Sequence, residues 1–82
     1  MITLENVHKA MNNPQVQKIV GMLYQEWMWQ ELDGLEDDPV ALRRWTTALF
    51  KRLGYTPVTE EQLLAAETLF QSRTETGQAW SQ

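Results

Sequence analysis

The sequence contains no cysteine and a single histidine, His8. The lack of cysteine excludes disulfide bonds, thiolate nucleophiles and cysteine-ligated metal sites. One histidine excludes a histidine-rich metal centre, and beside an apolar stripe a lone histidine is more often a boundary residue than a ligand. We therefore expect neither a metal ion nor another cofactor.

Long apolar runs are also missing from the chain. No window of about 18 or more apolar residues occurs, so we expect no helix that spans a membrane. The first residues, MITLENVHKAM, have neither the basic start nor the apolar run of a signal peptide. The expectation is a soluble, cytoplasmic protein.

Motifs of known catalytic sites are absent as well. The glycines do not form a phosphate-binding loop, and no nucleophile elbow of a serine hydrolase occurs. The carboxylates of Glu36, Asp37 and Asp38 belong to a solvated turn without the apolar enclosure typical of acid–base catalysis. We therefore expect that the protein is not an enzyme.

Charge is segregated along the chain. Eleven acidic and seven basic residues give a net charge of −4, which argues against a nucleic acid partner. Six of the eleven acidic residues lie between Glu26 and Asp38, whereas four of the seven basic ones follow in the next segment: Arg43, Arg44, Lys51 and Arg52. This pattern suits pairing within the chain or an oriented partner.

Three capping signals mark helix starts. The pairs Asn13-Pro14 and Asp38-Pro39 place a capping side chain before a proline, whose fixed φ suits the first helical turn. The segment from Thr59 to Gln62 is a capping box, in which each side chain reaches the backbone of the other. Each signal predicts that a helix begins directly after it.

Gly34 and Gly54 are placed where a left-handed residue ends a helix, and no segment alternates like a strand. The sequence therefore predicts an all-α fold. We expect a compact bundle or orthogonal array of about four helices, at residues 3–12, 14–33, 39–53 and 60–73. In this prediction residues 1–73 form one helical domain, and residues 74–82 form a flexible polar tail in which Trp80 is the exception.

Each predicted helix carries an apolar stripe at helical spacing, which we expect to form the core. Connections are short, which favours antiparallel neighbours. The stripes are Leu4, Val7 and Met11 in the first helix; Val16, Ile19, Val20, Leu23 and Trp27 in the second; Leu42, Trp45, Leu49 and Leu53 in the third; and Leu63, Ala66 and Phe70 in the fourth.

The second helix has more apolar residues than one stripe needs. Relative to Leu23, Met28 projects about 140° to one side and Trp29 about 120° to the other. Gly21 lies close to Met28 in projection and leaves a gap that another backbone could approach. Either neighbours within the chain cover these residues, or they form a second interface, for which aromatic and methionine side chains are typical.

These observations favour a non-enzymatic interaction, adaptor or regulatory module that binds a protein partner or dimerises. The candidate interface residues are Tyr24, Met28, Trp29, Leu32, Trp45 and Phe50.

The basic third helix supports an alternative, a small regulator that contacts DNA. The candidate contacts are Arg43, Arg44, Lys51 and Arg52, which projection spreads around the helix rather than along one edge. A solvated face that pairs with the preceding acidic turn is the commoner use of such residues. Nucleic acid binding is therefore the weaker hypothesis.

Three segments resemble a known family: NPQVQK at residues 13–18, DPV at 38–40 and LGYTPVTEEQL at 53–63. In this order they resemble the Nif-eleven-type family of small helical leader peptides, which precede ribosomally made peptide products. The resemblance implies a helical module that serves as the leader-like substrate of a peptide-modifying enzyme. The chain departs from the family because it has no Gly-Gly processing site and no cysteine. We carry over no functional residue.

Overall fold

The computed structural model describes residues 2–75, with only the backbone described for Glu75. It contains four α-helices: α1 (Leu4–Met11), α2 (Pro14–Met28), α3 (Pro39–Arg52) and α4 (Glu60–Glu75). A short 3-10 turn (Leu35–Asp37) lies in the connection between α2 and α3, and this part of the chain contains no strand. The predicted all-α fold is confirmed.

The structure describes only the first two residues of the tail that the sequence predicts at residues 74–82. The last helix extends through residue 75 instead of ending at 73. Trp80 and the remainder of the predicted tail lie outside the described residues.

The predicted caps are present at three helix starts. Asn13 Oδ1 accepts backbone N–H groups from the first turn of α2, the nearer at 2.8 Å, and Asp38 Oδ1 accepts that of Ala41 at 3.0 Å. At the start of α4, Thr59 Oγ1 accepts the N–H of Gln62 at 3.2 Å, and Gln62 Oε1 accepts the N–H of Thr59 at 3.1 Å. These bonds satisfy N–H groups that have no partner within the helix.

The second helix is shorter than predicted, because it ends at Met28 rather than at residue 33. Gln30 has a φ of 65°, the left-handed conformation that the sequence assigned to Gly34. The N–H groups of Gln30 and Glu31 donate to carbonyls in the last turn of α2 at 2.9 and 3.1 Å, which is the Schellman pattern. Gly34 is also left-handed, but it precedes the 3-10 turn.

The core lies around α4, which packs against α1, α2 and α3. Its buried apolar residues come from all four helices and from the connection between α2 and α3. They are Val7, Val16, Ile19, Val20, Leu23, Leu32, Leu35, Leu42, Leu49, Phe50, Leu63, Ala65, Ala66 and Phe70. Removal of this apolar surface from water is the main force that holds the helices together.

The buried face of α3 is rotated from the predicted one. Leu42 and Leu49 are buried as expected, but Trp45 is 40% exposed, and Thr46 and Phe50 take the inward positions instead. Thr46 can be buried because its Oγ1 donates to the carbonyl of Leu42 at 2.6 Å. From polarity alone one would expect Trp45 to be buried and Thr46 to be exposed, but the structure has the reverse.

The first helix contributes less to the core than its stripe predicts. Val7 is its one buried residue, whereas Leu4 is 72% exposed and Met11 is half-buried. Leu4 stands at the first position of α1, one turn before the residue that contacts the core. The first predicted stripe is corrected accordingly.

Among residues 2–75, none of the helices has the length and apolar character needed to cross a lipid bilayer.

Candidate interaction surface

Met28 and Trp29 are exposed at the C-terminal end of α2. Their exposed fractions are 61% and 74%, so the neighbours within the described chain leave most of both side chains open to solvent. The Schellman bonds that follow the helix fix the backbone at this point. Two large apolar side chains are thus presented together from an ordered helix end, which we call the apolar end of α2.

Tyr24, one turn before this end, contacts other residues of the chain. Its ring centroid lies 5.8 Å from that of Trp27, and the guanidinium carbon of Arg73 lies 5.9 Å from it in a cation–π arrangement. Trp27 in turn packs edge-on against Phe70 at 6.2 Å. Tyr24 is therefore half-buried and borders the surface rather than standing at its centre.

Two predicted interface residues, Leu32 and Phe50, are corrected because both are in the core. Leu32 is 5% exposed, since the chain turns back toward the helices after α2 ends. Phe50 is fully buried and packs edge-on against Tyr55, with the ring centroids 6.5 Å apart. Neither side chain can reach a partner without unfolding this part of the protein.

Trp45 lies beside the connection between α2 and α3, where it lines a shallow groove. The groove has a volume of about 160 Å³, and its other lining residues are Glu31, Leu32, Asp33, Gly34, Leu35, Asp38 and Ala41. Carboxylates form part of the rim, and none of its described lining residues is basic. Trp45 is therefore an exposed aromatic residue in an acidic setting, separate in sequence from the apolar end of α2.

A larger groove lies on the other side of the same connection. Its volume is about 390 Å³, and it is lined by Trp27, Glu36, Asp37, Gln71 and Thr74. Trp27 Nε1 donates a hydrogen bond to the carboxylate of Glu36, which ties the connection to α2. None of the residues from 2 to 75 that line this groove is basic, so both grooves beside the connection are acidic.

Arg43, the first candidate DNA contact, is held by two carboxylates of α4. It binds Glu60 at 2.9 Å and also forms a charged hydrogen bond with Glu67. The hydrogen bond to Glu67 is the main reason that the pKa of the Arg43 guanidinium is raised above its ordinary value; partial burial opposes this, and Glu60 adds to it. Arg43 therefore joins α3 to α4.

The other three basic residues of α3 differ in their surroundings. Arg52 pairs with Glu26 of α2 at 3.3 Å, whereas Arg44 and Lys51 form no ion pair with any described residue. The expected pairing between α3 and the acidic segment before it is thus limited to Arg52. Two of the four candidate DNA contacts are engaged by carboxylates, and the remaining pair is a small basic surface.

The sequence interpretation did not single out Lys18, an exposed cation on the side of α2 away from its buried residues. The signal was present in the helical projection, because Lys18 lies within about 80° of Gly21 and Met28. Gly21 is half-buried, and a Cβ added to it would meet no atom within 4 Å. A side chain at position 21 would therefore project into open space.

No group of three histidine, aspartate or glutamate side chains within residues 2–75 is arranged to hold a metal ion. No protein-family model, curated protein or solved structure matches the chain.

Proposed function

We propose that this chain is a non-enzymatic protein-interaction module that self-associates through the apolar end of α2. The observation that carries the proposal is the exposure of Met28 and Trp29, adjacent residues that the core does not use. Exposed aromatic and methionine side chains are enriched at the centres of protein interfaces. Tryptophan in particular is common among the residues that dominate binding energy.

A twofold dimer is the arrangement that makes best use of these two residues, because each contributes twice to a symmetric interface. Complete burial of a large apolar side chain contributes about 1.5 to 3 kcal/mol, and these side chains are partly covered already. Four of them then supply on the order of 4 to 8 kcal/mol, which exceeds only the lower end of the roughly 4 to 15 kcal/mol for lost translational and rotational freedom. We therefore expect a weak dimer whose population depends on concentration.

Sedimentation equilibrium tests the proposal directly. Between roughly 10 and 500 µM, the average mass should rise from the 9.6 kDa monomer toward twice that value. The double variant Met28→Glu and Trp29→Glu should remain monomeric, because it replaces the apolar side chains that the interface buries with charged ones. Far-UV circular dichroism should show that its helices are retained, since both side chains lie outside the core.

Leu4→Glu is the matched control, because Leu4 is 72% exposed and lies on α1. It changes one equally exposed apolar residue and should leave self-association as it is in the unsubstituted protein. A chain that stays monomeric over the whole range, or a double variant that associates as well as the parent, contradicts the proposal.

The two alternatives have less support. DNA binding through α3 has four candidate contacts, of which Arg43 and Arg52 already bind carboxylates. If it occurs, binding should weaken steeply with salt and should be reduced by Arg44→Ala with Lys51→Ala. The leader-like role and the cytoplasmic location stay predictions from the sequence.

A further inference from the structure

The side of α2 that faces away from the core is narrow and almost free of charge. The buried residues of the helix are Val16, Ile19, Val20 and Leu23. On the opposite side, Lys18, Gly21, Gln25 and Met28 project within about 80° of one another. We call these four residues the outer face of α2; Trp29 borders it at the C-terminal end.

Gly21 leaves the middle of the outer face without a side chain. Its φ is not left-handed, and a Cβ at this position would meet no atom within 4 Å, so neither the backbone conformation nor the packing of this chain requires glycine here. Glycine in the middle of a helix reduces helix stability relative to alanine. A second helix could approach closely at this point, which is a use that offsets the lower stability.

The charge along α2 is uneven in a way that a second copy complements. Lys18 is the one charged residue of the outer face, and it lies near the N-terminal end. The first turn of α2 has no acidic residue and the last turn has no basic one, so no side chain in the end turns offsets the helix dipole. Beyond the C-terminal end come Glu31 and Asp33, both exposed and neither in an ion pair with any residue from 2 to 75.

We propose that two copies pack antiparallel along this outer face, with the twofold axis between Gly21 and Gln25. Lys18 of each copy then lies opposite Met28 of the other, within reach of the carboxylates of Glu31 and Asp33 that follow the helix. The acidic connection of one copy lies beside the N-terminal end of α2 in the other, where a helix dipole favours negative charge. This geometry rests on the self-association proposed above and specifies how the copies meet.

The like charges disfavour the parallel alternative. Parallel helices would place the two Lys18 side chains opposite each other, at an interaxial distance of about 8 to 10 Å. In the antiparallel pair they are separated along the axis by ten residues, or about 15 Å, which exceeds the Debye length of roughly 8 Å at physiological salt. The change from parallel to antiparallel packing therefore replaces repulsion between two lysines with attraction between each lysine and the carboxylates of the other copy.

Disulfide cross-linking tests the orientation, because the natural chain has no cysteine. The variants Lys18→Cys and Met28→Cys are oxidised separately and as an equimolar mixture. The mixture should form the mixed disulfide dimer, since positions 18 and 28 meet across an antiparallel interface, whereas each variant alone should cross-link several-fold more slowly. Faster cross-linking of Lys18→Cys alone indicates parallel helices and overturns the proposal.

Charge reversal tests the contact of Lys18 with the acidic connection. Lys18→Glu should weaken dimerisation by at least about tenfold, as is typical of a charge placed against like charges. Adding Glu31→Lys and Asp33→Lys to the same chain should restore it. Lys51→Glu is the control, because Lys51 is also an exposed lysine without an ion pair among the described residues but belongs to α3.

The two proposals fail in different ways. Suppose that sedimentation shows a dimer, but Lys18→Cys alone cross-links faster than the mixture or charge reversal has no effect. The antiparallel geometry is then wrong, and the proposal of self-association stands. If sedimentation shows only monomer, both proposals are wrong.

Discussion

Gln30 holds a backbone conformation in which a side chain raises the free energy of the folded state. Its φ of 65° places Cβ close to the carbonyl oxygen that follows, at a cost of about 1 to 2 kcal/mol for a residue other than glycine. The Schellman bonds of Gln30 and Glu31 keep this conformation in place. The left-handed residue that ends α2 is thus a glutamine, a residue type that does not favour this conformation.

We expect Gln30→Gly to stabilise the protein by about 0.5 kcal/mol. Relief of the left-handed strain exceeds the extra entropy that glycine gives the unfolded chain, which is about 0.5 to 1 kcal/mol. Urea denaturation followed by circular dichroism measures the change as a shift of the midpoint at constant slope.

Gly54→Ala is the reciprocal control for this prediction. Gly54 ends α3 with the same motif at a φ of 75°, and its added Cβ would meet no atom within 4 Å, so backbone strain alone should cost about 1 kcal/mol. Equal effects of the same sign for the two substitutions would contradict this account of the helix ends.

At the scale of the element, α3 shows why an apolar stripe does not settle which face is buried. Residues 45 and 46 are neighbours about 100° apart, and both Leu42 and Leu49 fit a face that includes either one. The structure buries Thr46 with Phe50 and exposes Trp45, because the threonine hydroxyl is satisfied within its own helix. A prediction from side-chain polarity alone therefore assigned the buried position to Trp45 rather than to Thr46.

Two alanine substitutions on α3 distinguish the buried face from the exposed one. Phe50→Ala should reduce the free energy of unfolding by about 3 to 5 kcal/mol, because it leaves a cavity in the core. Trp45→Ala should cost about 1 to 2 kcal/mol, because the residue is 40% exposed and its removal leaves no enclosed cavity. Chemical denaturation measures both, and a larger loss from the tryptophan substitution would show that the predicted stripe was right.

The helix starts were predictable from sequence and the ends were less so. Asn13, Asp38 and Thr59 cap helices through short-range bonds that follow from residue type and spacing. The end of α2 was not predictable, because Gln30 has no intrinsic preference for the left-handed conformation and Gly34, which has one, serves a different turn. The early end also explains why Leu32 was misplaced on the interface: beyond Met28 the helical projection no longer applies.

At the scale of the whole molecule, Arg43 connects α3 to two points along α4. Glu60 lies in the first turn of α4, and Glu67 lies about two turns later. The Arg43 side chain is 35% exposed, so solvent screens the pair and the measured contribution should be modest. We expect Arg43→Ala to cost about 1 kcal/mol and Arg44→Ala, which breaks no ion pair with a described residue, less than about 0.5 kcal/mol.

The pH dependence of this contribution follows from the direction of the shift. A group whose pKa is raised in the folded state stabilises the protein fully below its unfolded pKa and loses that effect only as pH rises through the folded pKa. For Arg43 this window is strongly alkaline. The difference in unfolding free energy between the parent and Arg43→Ala should therefore be the same at about pH 6 and about pH 9; a difference that shrinks over this range would contradict the assignment.

The groove beside Trp45 has a consequence for spectroscopy. The collisional quenchers caesium and iodide carry opposite charges, and the carboxylates of Glu31, Asp33 and Asp38 line the same groove as the indole of Trp45. Caesium should therefore reach Trp45 more often than iodide does, and Trp45→Phe should reduce the preference for caesium in the total emission. Trp27, which lies beside Glu36 and Asp37, should retain its own share of that preference. The molecule thus carries its own optical probe of the acidic connection, and binding of a second copy there would shield the probe from caesium.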